Sequence, residues 1–446
     1  MFSIFLRHKF TVSKIQRYPN ARFPCCRSIT HDSNVRSARV STPVNTLLTK
    51  LVNSRNRDIK CVLDQEQDLF LRSDALFWEP LLRALKSAVS SSSNMVHQVL
   101  EWKIEKLVKE SNRDPRDWAR QISLAGRVNN TQLASRAFSL MELQQIRPTS
   151  TVFNSLIYAY GFSNRLAKAL SLFEVMERTE DCQPTLVTYN TFMSVYSRLG
   201  DANNLQAWYE ACKNAGFSPN ADTYKHLILG FLRANRYDRM NFAFREMISS
   251  GVMPNIATLE SVMEGYCKQG RLERMKETLK FMKEEGWNVT EKIATRVFEV
   301  YAKLGEVREM QEMLVIGKAL QNTKFVSEVY SKIVKAYALS GQLDDMEFYV
   351  GKMLEDGANF SCSGDVEAVI SSYFFHEAYD RLEFFLNQVT GVCKLSSGTY
   401  NLLFTEYEKA GQIEKLQVIV ENIKKAGFNP SSDISQNLQY FEQMAK

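Results

Sequence analysis

Tyr400, Leu403 and Tyr407 fall at helical spacing, Gly411 interrupts them, and Ile413, Leu416, Val420 and Ile423 resume the spacing up to Gly427 and Pro430. Apolar residues three and four apart line one side of a helix. A glycine readily takes the left-handed conformation that ends a helix, and proline cannot continue one. The stretch therefore predicts two antiparallel helices joined by a short turn. The pattern recurs. Three abutting copies, 186–220, 221–255 and 256–290, hold Tyr196, Phe231 and Tyr266 at one place, Arg198, Arg233 and Lys268 at a second, and Gly216, Gly251 and Gly286 at a third. Carrying the phase outward gives units 115–149, 150–185, 186–220, 221–255, 256–290, 291–326, 327–361, a degraded 363–396, and 397–431. Gly200, Gly270, Gly305, Gly341 and Gly411 mark the mid-unit break; Pro148, Pro184, Pro219, Pro254 and Pro430 precede the next unit. Self-similarity at a fixed period predicts an all-α solenoid in which each unit buries its apolar face against its neighbours.

One aromatic per unit (Tyr160, Tyr196, Phe231, Tyr266, Tyr301, Tyr337, Tyr373, Tyr407) follows by four residues an apolar partner such as Leu156, Phe192 or Leu403. That spacing puts both on one helix face, so the series reads as inter-helix core rather than as a row of base-stacking rings. Met240, Met275, Met310 and Met346 in the second helices read as packing in the same way. Upstream, Ser41 to Asn53, Ala75 to Lys86 and Met95 to Lys109 are predicted helices, with the serine run Ser90 to Ser93 between the last two. The second and third read as a worn copy of the unit, suited to capping the array.

The chain has 446 residues, 45% hydrophobic and 24% charged, with a formal net charge of +6. The length exceeds what one core supports and suits an array; the mild basic excess permits a polyanionic partner. Eight irregularly spaced cysteines without a Cys-x-x-Cys pair, and five scattered histidines, argue for free thiols in a reducing compartment and against a zinc site. Met1 to His31 lacks Asp and Glu but carries Arg7, Lys9, Lys14, Arg17, Arg22 and Arg27 among apolar residues, the composition of an organelle transit peptide. Arg27-Ser28-Ile29-Thr30 is similar to mitochondrial processing sites, which favours the mitochondrial matrix over the chloroplast. The expected organisation is a disordered transit peptide at 1–36, a helical N-terminal cap with a degenerate repeat at 37–114, the repeat array at 115–431, and a capping helix at 432–446.

Tyr196-Ser197-Arg198-Leu199-Gly200, Val187-Thr188-Tyr189-Asn190-Thr191, Ser397-Gly398-Thr399-Tyr400-Asn401 and the endings Ala215-Gly216-Phe217-Ser218-Pro219-Asn220 and Ser250-Gly251-Val252-Met253-Pro254-Asn255 resemble the pentatricopeptide repeat family, in its pure P subclass, of organelle-targeted plant type. The resemblance covers about 115–431. It implies a right-handed superhelix of about nine to ten repeats, with single-stranded RNA held along the first helices and no cofactor. It also implies that the fifth and last residues of a unit read one base together: Asn154 with Thr185, Asn190 with Asn220, Ser331 with Ser361, and Asn401 with Ser431. An Asn reader suits U or C, because its amide can face their Watson–Crick edge. Val187 takes the base-sandwiching second place. Lys225 with Asn255 and Glu260 with Thr290 depart from the pattern, as do Asp222, Lys292, Glu328 and Gly364 at the second place.

Arg127, Arg198, Arg233, Lys268, Lys303 and Lys409 occupy one place per unit and are expected to align along an RNA backbone. They also sit where cations complement a helix dipole. If all six meet phosphates, log K against log salt should slope near about −4, at roughly −0.7 per contact. No His-x-Glu with Cys-x-x-Cys, phosphate loop or nucleophile elbow is present, so catalysis is not expected. Two functions follow: an organellar RNA-binding adaptor in splicing, stabilisation or translation of transcripts, or a protein scaffold, such as a component of the organellar ribosome. Splicing factors, ribosomal proteins and a second copy of the chain are the partners these imply; no apolar run is long enough to span a bilayer.

Overall fold

The computed structural model describes residues 42–53, 59–66, 75–88, 92–390 and 395–425. The expected transit peptide, the expected capping helix at 432–446 and Ser431 lie outside them. Among the described residues, twenty-two α-helices and one 3-10 turn make up the regular structure, and the fold is an all-α solenoid of helix pairs. Two compact units, Met1–Thr258 and Leu259–Lys446, are taken in turn.

The first unit begins with α1 (Thr42–Asn53), α2 (Ile59–Gln65), α3 (Ala75–Ala88) and α4 (Ser92–Lys109). The short α2 is unforeseen, and α4 starts inside the serine run, which supplies residues favoured at a helix start. Trp78, Trp102 and Trp118 belong to one continuous core that joins these helices to the first repeat. Four pairs follow: α5 (Pro115–Arg127) with α6 (Thr131–Leu143), α7 (Ser150–Phe162) with α8 (Leu166–Arg178), α9 (Leu186–Leu199) with α10 (Ala202–Asn214), and α11 (Ala221–Arg233) with α12 (Tyr237–Ser249). Helix α5 shows why such a segment starts where it does: Asp114 caps it by accepting from the Arg116 N–H, and Pro115, with no N–H to satisfy, takes the first position.

Each second helix packs on its own first helix, and first helices pack on one another in the order α5, α7, α9, α11. Glycine permits two of these approaches. A Cβ on Gly126 would fall 2.7 Å from the Ala159 Cα, and one on Gly230 would fall 2.2 Å from Leu205 Cδ2. Deeper in the pairs, Phe192 stacks on Trp208 at 4.0 Å, and Phe173 meets both edge-on. Between α9 and α10 Gly200 takes φ 68°, and Asn129, Asn164 and Asn235 adopt the left-handed region at the matching place.

The unit boundary falls within α13 (Ile256–Gln269), and α14 (Leu272–Glu284) follows. The second unit continues with α15 (Glu291–Leu304), α16 (Val307–Ala319), α17 (Thr323–Leu339), α18 (Leu343–Glu355), α19 (Ser363–Phe375), α20 (Tyr379–Thr390), α21 (Ser397–Lys409) and α22 (Ile413–Lys425). Helix α17 starts four residues before the expected 327. No Gly-x-x-Pro ending precedes it. Instead Asn322 caps it by accepting from the Phe325 N–H, and the hydrogen of Gly317 leaves room for Phe325 and Val326. Six of the eight repeat aromatics are buried. Tyr160 and Tyr337 are half-buried, and their hydroxyls reach Ser135 at 2.7 Å and Gln311 at 3.1 Å. The four methionines are buried in the core.

Candidate nucleic-acid interface

The places proposed to read bases lie near the starts of the first helices, where a recurring cap fixes the backbone. Asn220 caps α11: its Oδ1 accepts from the Thr223 N–H at 3.0 Å, and its own N–H donates to Thr223 Oγ1 at 3.1 Å. Thr185 with Thr188, Asn255 with Thr258 and Ser396 with Thr399 make related pairs. These threonines are buried. The Asn/Ser/Thr-x-x-Thr spacing was visible in the chain, and its capping role was not drawn from it.

The cap draws Asn190 and Asn220 together. Asn190 Nδ2 donates to Asn220 Oδ1 at 3.2 Å, and Thr223 Oγ1 donates to Asn190 Oδ1 at 2.8 Å. Because the Thr223 N–H must meet an oxygen, Asn220 turns its NH2 away from the helix. Asn220 is exposed, Asn190 is 8% exposed, and Val187, one turn from Asn190 on α9, is 60% exposed. The arrangement offers N–H donors from Asn220 and an aliphatic face beside them, which suits the carbonyl edge of a pyrimidine.

The other expected pairs differ. No hydrogen bond joins Asn154 to Thr185; Asn154 is buried, and its Oδ1 has no partner among the described residues and no exposed surface. Ser331 is fully buried and its Oγ accepts from the Ser361 N–H at 2.8 Å, so this pair meets but offers no surface at Ser331. Asn401 is half-buried. At the departing Glu260 and Thr290, and at Glu367, the fifth residue of the degraded unit, the side chains are engaged internally: Glu260 accepts from Thr290 at 3.1 Å and pairs with Lys292 at 2.8 Å, and Glu367 accepts from Thr399 at 3.2 Å.

The six cations are exposed and lie in the last turns of first helices, but several are engaged. Arg127 pairs with Glu79, Lys268 with Glu264 at 2.9 Å, and Lys409 with Glu406 at 2.7 Å. Burial would raise the Glu264 carboxyl, yet hydrogen bonds from Lys268 and Arg296 hold it below the usual range. The Arg198 guanidinium lies 4.7 Å from the Phe162 ring, and Arg233 donates to the Ser197 carbonyl at 3.2 Å. Phe162 occupies the cation's place in its own unit and stacks on Tyr158 at 4.1 Å. Lys303 has no ion pair among the described residues. No cluster of three or more His, Cys, Asp or Glu suited to a metal occurs among the described residues, and no described helix is long and apolar enough to cross a membrane.

Paired helices at a fixed period, tied cap to cap, define a helical-repeat protein. Residues 148–198 match the PPR repeat family, 117–163 and 209–269 the pentatricopeptide repeat domain, and 187–217 and 258–287 the PPR repeat. The chain is 35% identical over 106 residues to the Zea mays pentatricopeptide repeat-containing protein PPR5, chloroplastic, covering 23% of this chain and 21% of that one. It is 32% identical over 122 residues to the Arabidopsis thaliana pentatricopeptide repeat-containing protein At2g30780, covering 27% of each. The matched segments thus span about a quarter of the length of these relatives. The structure of the pentatricopeptide repeat protein PPR10 in complex with an 18-nt psaJ RNA element is similar at 19% identity and a TM-score of 0.44, over 95% of this chain and 58% of that one. Over residues 117–287 the chain carries pentatricopeptide repeats, as these plant proteins do.

Proposed function

We propose that this protein binds single-stranded RNA in a plant organelle, holding a pyrimidine-containing stretch of transcript along the first helices of residues 150–233 without cutting it. The observation that carries the reading is the Asn190–Asn220 pair, 3.2 Å apart with exposed Val187 beside it, at the places where the family reads bases. The basic, acid-free start of the chain favours an organelle, and its arginine content the mitochondrial matrix; among the relatives, At5g09450 of Arabidopsis thaliana is named mitochondrial and PPR5 chloroplastic. Binding of this kind acts by occupancy, exposing a splice site, shielding an end or opening a start region.

Fluorescence anisotropy with oligo(U), oligo(C) and oligo(A) tests the reading. Asn190→Ala should weaken pyrimidine binding about threefold to tenfold, the worth of one hydrogen bond. Val187→Ser, at an exposed position, should weaken all three oligonucleotides without changing helicity. Equal affinity of wild type and both variants would overturn the assignment. A second reading, a scaffold or organellar ribosomal component, draws on the internal engagement of Glu260, Glu367 and Ser331. It calls for stoichiometric, RNase-resistant co-sedimentation with a ribosomal subunit.

A further inference from the structure

In three successive repeats of the second unit the twenty-second residue is an exposed large apolar side chain: Phe348 at 55% exposure, with the Lys352 ammonium 4.3 Å from its ring centre, Phe384 at 66% and Val418 at 55%. The same place holds Glu277 and Glu312 in the two preceding repeats, so the position itself demands nothing apolar. The three side chains ride on neighbouring second helices that ion pairs tie together. Arg381 on α20 reaches Asp344 and Glu347 on α18 at 2.6 Å, and Lys415 on α22 reaches Asp380 on α20 at 3.1 Å and Glu383 at 3.5 Å. Lone exposed apolar residues are ordinary, but aligned ones on adjoining elements mark an interaction surface.

The charge around them chooses the partner. Helices α18 and α20 carry six acids and two cations, Lys352 and Arg381, in a chain whose net charge is +6. An acidic face repels nucleic acid and anionic lipid and attracts a cation-rich polypeptide. The ion pairs keep each second helix within reach of one long side chain of the next, and seven residues of a helix rise about 10 Å. A helix laid across α18, α20 and α22 with apolar residues one heptad apart can present one to each of Phe348, Phe384 and Val418.

We propose that the faces of α18, α20 and α22 turned away from their first helices dock a basic amphipathic helix of a protein partner. Its apolar residues seat on the two phenylalanines and Val418, and its Lys and Arg flanks meet exposed Asp345 and displace Lys415 from Asp380 and Glu383. This inference does not rest on the RNA reading, because it uses other helices and the opposite charge.

The test uses the purified full chain and two labelled 22-residue helical peptides with leucines one heptad apart, flanked by lysines in one and by glutamates in the other. Anisotropy should show binding of the lysine peptide and at least about tenfold weaker binding of the glutamate peptide. Phe348→Ser/Phe384→Ser should weaken the lysine peptide about tenfold with unchanged circular dichroism, and Glu383→Lys severalfold; Arg198→Gln/Arg233→Gln should leave it unchanged. Equal binding of both peptides, insensitivity to the serine variant, or displacement of the peptide by oligo(U) overturns the proposal. So does a dimer in sedimentation that Phe348→Ser/Phe384→Ser dissolves, since the occupant would then be a second copy.

Discussion

The acids beside the cation column set how strongly RNA binding should depend on salt. Each phosphate contact adds about −0.7 to the slope of log K against log salt on a single strand. Six contacts give about −4, so raising salt from about 50 to 200 mM would weaken binding some 250-fold. The structure lowers that figure. Arg127, Lys268 and Lys409 already face Glu79, Glu264 and Glu406, and a cation that keeps its carboxylate releases no RNA counterion. With those three withheld the slope is at most about −2, and the same change in salt weakens binding about 16-fold. Replacing the acids, Glu264→Gln with Glu406→Gln, should return two contacts and steepen the slope to about −3.5. Arg198→Gln with Arg233→Gln should flatten it by about 1.4. Anisotropy titrations with oligo(U) at four or five salt concentrations measure all three. A wild-type slope near −4 would refute the withholding argument; a slope untouched by losing Arg198 and Arg233 would refute the column as an RNA track.

Further outcomes follow from packing and charge. Burial, with the charge of Lys225 beside it, pulls His226 down to about 4, while Asp222 opposes and Arg233 assists. The unfolded imidazole titrates near about 6.5, so stability should be level above that pH and fall by up to about 3 kcal/mol as pH drops toward about 4; denaturant melts of His226→Gln should lack this slope. Burial would raise fully buried Asp365, but Lys332 at 3.0 Å and Lys335 at 3.1 Å hold it below the usual carboxylate range. Its contribution is present above about pH 3.9 and lost below, and Asp365→Asn should cost about 2–3 kcal/mol at neutral pH in urea unfolding. Gly126→Ala should destabilise by about 1–2 kcal/mol, the clash with the Ala159 backbone outweighing the gain in helix propensity, with faster hydrogen exchange confined to α5 and α7.

Much of this architecture was legible because glycine and proline punctuate it: the first helices begin where the phase predicts at 150, 186, 221, 256, 291 and 397. The early start of α17 was hidden because its signals, Asn322 and the room beside Gly317, are tertiary. The cation column was legible as a register, and two of its ion pairs were implicit in the spacing of Glu264 with Lys268 and Glu406 with Lys409. The pairing of Arg127 with Glu79 joins residues 48 apart in the chain and had no local sign. Likewise Asn190 could be placed at a reading position, whereas the hydroxyl of Thr223 on its oxygen depends on how two repeats meet.

That hydroxyl has a consequence for any attempt to readdress the protein. Thr223 belongs to the hairpin that follows Asn190, so under the proposed reading one bond serves both as part of the alphabet and as a rivet between hairpins. Swapping the letter at Asn190 would loosen the seam as well as change the message, and a new letter would need a matching rivet at Thr223.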